Sequence, residues 1–152
     1  METFNNILVV SRSTHGCVKA LSKGISIARK FGSKLHVLHV IYDPFYFNGW
    51  NIPIEHFDKE FKNVVAKARD ELDHLIAREK AEGMHISERI EYGKPVDEIE
   101  KIVKSENIDL IIMMAHEEGR LEHFLFGRTN ETVIRRLPAT LMLVKKRSKP
   151  NE

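Results

Sequence analysis

Two short runs, Ile7-Leu8-Val9-Val10 and Leu110-Ile111-Ile112-Met113-Met114, are apolar at every position and show no alternation. A strand with one wet face alternates apolar and polar residues. An unbroken run of this length fits a strand covered on both faces. The segments between them follow a helical period. Val18, Leu21, Ile25 and Ala28 recur every three or four residues, after Ser13 and Thr14, either of which can cap a helix. Gly32 then supplies the left-handed residue that ends it. Leu35 to Ile41 reads as a second strand, with His36 and His39 among apolar neighbours.

Residues 42–53 hold Pro44, Gly49, Pro53 and several aromatics, the composition of a loop. From Ile54 to about Glu82, Phe57, Phe61, Val64, Val65, Ala68, Leu72, Leu75 and Ile76 predict a long helix closed by Gly83. Ile86, Ile90 and Tyr92 share one face of a third strand, with Glu88 interrupting it at a partly exposed position. Pro95 opens another helix with Val96, Ile99, Ile102 and Val103 on one side. After the run at 110–114 come a polar loop, a helix near Thr129 to Arg136 and a last strand, Thr140 to Val144.

Strands alternating with helices predict an α/β fold: a five-stranded parallel sheet with helices on both faces. Ligands of such sheets bind beyond the strands' carboxyl ends, where strand order reverses. Here those ends are Val10 to Ser13, Val40 to Asp43 and Met114 to Glu118.

The 152 residues fit one domain, 1–146, followed by a polar tail, 147–152. Lys and Arg (24) nearly balance Asp and Glu (22), and the basic residues are spread along the chain apart from Lys145, Lys146, Arg147 and Lys149. That distribution argues against a nucleic-acid partner. The lone Cys17 cannot form an internal disulfide, and no apolar run approaches the ~18–20 residues of a membrane span. The opening residues lack the basic and apolar regions of a signal peptide. A cytoplasmic, membrane-independent protein is expected.

Residue types that could carry chemistry each have a plainer explanation. His116, Glu117, Glu118 and His123 include metal-ligand types, but without a second matching group they fit a solvated loop. Cys17, near His15, fits a small residue packed under a strand rather than a catalytic thiol. His39 fits a hydrogen-bonded interior histidine. Tyr42, Phe45, Tyr46, Phe47 and Trp50 are expected to pack on the long helix, or otherwise to form a lid or partner surface. No nucleophile–base–orienter set, paired-carboxylate site or lysine-bearing nucleotide loop is present, so no enzyme activity is expected.

Several segments together resemble the universal stress protein family. They are Ile7 to Val10 with its polar turn, Leu38-His39-Val40-Ile41, Gly93-Lys94-Pro95-Val96-Asp97-Glu98-Ile99, Asp109 to Met114, Gly127 to Arg136, and Ala139 to Lys145. The resemblance covers nearly the whole chain. Met114-Ala115-His116, followed by Arg120-Leu121-Glu122, is similar to the nucleotide-motif-lacking half of tandem-domain members. The resemblance implies a Rossmann-like fold of the adenine nucleotide α-hydrolase type, and a homodimer paired through Thr140 to Val144. Such pairing would satisfy an otherwise bare apolar sheet edge.

Nucleotide-binding members of this family hold adenine with a strand-end aspartate and cradle phosphates in a glycine loop. In this chain Arg12 stands at the aspartate, Ala115 and Glu118 stand at the first two loop glycines, and Arg128 replaces a small hydroxyl residue. Gly127 matches, while the loop is about one residue shorter. Glycine is required where phosphate meets the main chain. A carboxylate ~4 Å from a phosphate oxygen costs about 4 kcal/mol at an effective dielectric of ~20. The expectation is a non-enzymatic regulatory protein with a degenerate ATP motif and no cofactor. The alternative is an ATP or AMP sensor whose modified pocket is lined by Val10, Arg12, Val40, Ala115, Gly127, Arg128 and Thr129.

Overall fold

The computed structural model describes residues 3–11, 18–41, 54–92, 95–115 and 137–145. Its elements are β1 (Asn6–Ser11), α1 (Val18–Phe31), β2 (Lys34–Ile41), α2 (Ile54–Ala81), β3 (Ile86–Tyr92), α3 (Pro95–Ser105), β4 (Leu110–Ala115) and β5 (Thr140–Lys145). The five strands form one sheet in the order β3-β2-β1-β4-β5, and every neighbouring pair is parallel. The expected sheet is therefore present, with β5 one residue longer than its apolar run. The expected helix at 129–136, the aromatic loop and the capping Ser13 and Thr14 lie outside the described residues.

The unbroken apolar runs follow from a sheet buried on two sides. Ile7, Val9, Leu35, Val37, Leu110 and Ile112 point to one face. There they pack with Leu21, Ile25 and Ala28 of α1 and with Leu72 and Ile76 of α2. Leu8, Val10, Leu38, Val40, Ile111 and Met113 point to the other, against Ile99, Ile102 and Val103 of α3. Each fully buried aliphatic side chain contributes roughly 1.5–3 kcal/mol. Among the helical positions read on α2, Leu72 and Ile76 are fully buried. The side chains of Phe57, Phe61, Val64, Val65, Ala68 and Leu75 lie outside the described set. From β1 the chain steps outward to β2 and β3, then crosses back to β4. Right-handed crossovers in opposite directions put their helices on opposite faces.

Local signals end the helices where expected. Gly32 has φ 68° after α1 and Gly83 has φ 91° after α2, the left-handed conformation that spares a Cβ clash. Asn107 takes φ 50° in the turn after α3, which a short polar side chain tolerates.

Long-range polar contacts clasp the amino edge. The Asp109 carboxylate, at the start of β4, accepts the Asn5 N–H at 2.8 Å and the Asn6 N–H at 3.3 Å. Its own N–H donates to Asn6 O at 3.0 Å, and its carbonyl accepts the Thr140 N–H at 3.0 Å. One residue thus joins the beginnings of β1, β4 and β5. Arg29 of α1 pairs with Glu79 and, at 3.0 Å, with Glu82 beyond α2. Lys80 of α2 pairs with Glu88 of β3. Glu88, read as partly exposed, is half-buried. No helix among the described residues is long and apolar enough to cross a membrane.

Candidate functional site

Strand order reverses between β1 and β4, because β1 leads to β2 on one side while β4 lies on the other. The two strands also part there. Their ladder ends at Val9↔Ile112, although β1 stays paired with β2 to Ser11↔His39 and β4 with β5 to Ala115↔Lys145. Both strands therefore continue past their last shared register and diverge at the carboxyl edge. Open parallel sheets bind ligands at such a place.

Of the predicted lining residues, Val10 lies on β1 just past its last register with β4, and Val40 lies on β2 across β1 from that gap. Val10 (6% exposed) and Val40 (2% exposed) lie in the same apolar cluster as Met113, on the α3 side. Both side chains are packed into the core that α3 covers. Ala115 is the last residue of β4, and its side chain lies outside the described set. Arg12, Gly127, Arg128 and Thr129 lie outside the described residues, as do Cys17, His116, Glu117, Glu118 and His123. Among the described residues, no group of three or more His, Cys, Asp or Glu is placed to hold a metal ion.

Sequence reading placed His39 as an interior hydrogen-bonded histidine without identifying its partner. One partner is Ser11, whose Oγ lies 3.2 Å from His39 Nδ1, with donor and acceptor set by the ring tautomer. Both side chains are buried at the ends of β1 and β2. A hydroxyl beside an imidazole has the make-up of a nucleophile–base pair. Ser11, however, is only 1% exposed, which closes its oxygen to a substrate. Once β1 and β2 are known to be parallel and in this register, the pair could be read from the sequence.

At the helix end facing this edge, α3 begins with Pro95 and carries Asp97 and Glu98 in its first turn. Acidic groups there complement the positive end of the helix dipole. The buried Glu98 also accepts from Lys101 Nζ at 3.0 Å, which leaves it paired.

A model of the universal stress protein family matches residues 3–145. This chain belongs to that family. A universal stress protein of Methanocaldococcus jannaschii is 30% identical over 101 residues, a stretch covering 66% of this chain and 62% of that protein. The match thus spans less than two thirds of that relative's length. Its solved structure superposes with a TM-score of 0.73, covering 97% of this chain and 100% of that one at 24% identity. An Arabidopsis thaliana universal stress protein family protein with AMP bound superposes with a TM-score of 0.62 at 19% identity, covering 95% and 93% of the two chains. A universal stress protein in complex with cAMP gives a TM-score of 0.60 at 19% identity, covering 95% and 98%. Universal stress proteins thus share this chain's sheet and helix arrangement over nearly its whole length.

Proposed function

We propose that this universal stress protein is a non-catalytic regulatory protein of the cytoplasm that acts through protein contacts as a homodimer. The edge position of β5 carries this reading. Among the described residues β5 pairs only with β4, and Leu143 on it is 49% exposed. A two-fold axis beside this strand would pair β5 with its own copy and cover Leu143 on both sides. Among the described residues, the burial of Ser11 beside His39 supports a non-catalytic reading. Sedimentation velocity tests the dimer directly. A dimer is expected at micromolar concentration and a monomer for Leu143→Glu; an unmodified monomer would overturn the reading.

A second function, adenine-nucleotide sensing, is favoured by the parting of β1 and β4 and by relatives solved with AMP and cAMP. Arg12 and Arg128 would supply the charge that the missing glycine amides do not, while Glu118 would oppose a long phosphate chain. Titration calorimetry with ATP, ADP, AMP and cAMP separates the two functions. Binding tighter than about tens of micromolar, lost on Gly127→Glu, would establish the sensor. No heat with any of the four nucleotides would exclude it.

A further inference from the structure

Among the described residues, neither ring nitrogen of His36 has a hydrogen-bond partner, and both are buried in a residue only 8% exposed. Buried polar groups ordinarily find partners, so an unpartnered imidazole inside a sheet calls for a physical reason. His36 lies opposite Leu8 of β1 and Ser87 of β3, on the face that α3 covers. The charged and titratable groups around it are Glu106 in the turn after α3, Arg89 of β3, His85 just before β3, and Lys34 on its own strand. Its β1 neighbour Leu8 brings no charge. Glu106 is already engaged, because Arg89 donates to it at 2.7 Å and so ties β3 to the end of α3.

We propose that His36 is an acid-sensitive latch: on taking a proton from solvent its ring can be neither solvated nor paired in place, so the last turn of α3 lifts from β2 and β3. A neutral imidazole has one donor and one acceptor, whereas the imidazolium has two donors and no acceptor. Two responses are open to it, and both loosen the same seam. Water enters between α3 and the sheet, or Glu106 turns to His36 and releases Arg89.

Burial holds the ring below the usual imidazole range; Glu106 opposes this, while Arg89, His85 and Lys34 reinforce it. With the folded value below the unfolded ~6.5, the closed form is fully favoured above that pH. The advantage is lost as pH falls through the folded value.

Hydrogen exchange, corrected for intrinsic rates, tests the latch at pH 7 and pH 5 on the full chain and on His36→Leu. In the unmodified chain, protection of amides 102–106 should be lower at pH 5 than at pH 7, because opening lets His36 take up the proton that burial disfavours. In His36→Leu, which keeps an apolar side chain in the core, that fall should vanish. Equal protection at both pH values, or the same fall in the variant, overturns the proposal. Nuclear magnetic resonance of the His36 ring in the unmodified chain gives a second readout that needs no variant. Its titration should lie below that of free histidine and coincide with the loss of protection. A ring that titrates at the ordinary value overturns the latch.

Discussion

Ser11 Oγ on β1 lies 3.2 Å from His39 Nδ1 on β2, inside the sheet's carboxyl end and 28 positions apart in the chain. Both residues face the α1 and α2 side, one step beyond Val9 and Val37. The pair stiffens the strand ends just where β1 separates from β4. Ser11→Ala should lower stability by about 1–3 kcal/mol, the usual cost of depriving a buried polar group of a partner. Urea unfolding of Ser11→Ala, His39→Phe and the double variant should give a coupling energy of at least about 0.5 kcal/mol. Purely additive losses would mean that the two side chains act independently.

Gly24 shows how closely α1 approaches the sheet. A Cβ built there would lie 2.5 Å from Val9 Cγ2 and 3.3 Å from Leu35 Cδ1. Alanine would gain roughly 1 kcal/mol of helix propensity. It would also force a stiff, β-branched neighbour to move, and overpacking of this kind costs ~1–3 kcal/mol. Gly24→Ala is therefore expected to be destabilising on balance. Combining it with Val9→Ala should cost less than the sum of the two changes in thermal unfolding.

Asp109 holds the amino edge as Ser11 and His39 hold the other end. Asp109→Ala removes a charged acceptor from the Asn5 and Asn6 N–H groups, a loss of about 1.5–3 kcal/mol if the two bonds act together. Asp109→Asn keeps a neutral acceptor and should lose less. Denaturation midpoints compared with unchanged m-values would check the ranking.

Glu88 sets a pH dependence on the face opposite His36. Burial raises its carboxyl above the ordinary range, opposed by Lys80 and reinforced by a hydrogen bond with Asp73. Its folded value thus exceeds the unfolded one, so its contribution is fully present below the unfolded value and is lost as pH rises through the folded value. Relative to Glu88→Gln, the unmodified chain should lose stability as pH climbs above the usual carboxylate range. Urea unfolding at several pH values measures this. A stability difference independent of pH would show that Glu88 titrates alike in both states.

Element type and order were legible in the amino-acid sequence because they depend on near neighbours. Unbroken runs such as Ile7 to Val10 mark strands covered on both faces, the spacing of Leu21, Ile25 and Ala28 marks one helix face, and Gly32 and Gly83 mark helix ends. In the unbroken runs, by contrast, no alternation marked which residue would meet which helix. The interior position of His39 could also be read in advance.

Tertiary structure alone decided which strands lie side by side, and everything that follows from that choice. The divergence of β1 from β4, the pairing of Ser11 with His39, the Asp109 clasp, the approach of Gly24 to Val9 and the enclosure of His36 all join residues remote along the chain. A period of two or 3.6 residues reports which way a side chain points, but not what it will meet. That second quantity is set when helices and strands compete to bury their apolar faces together.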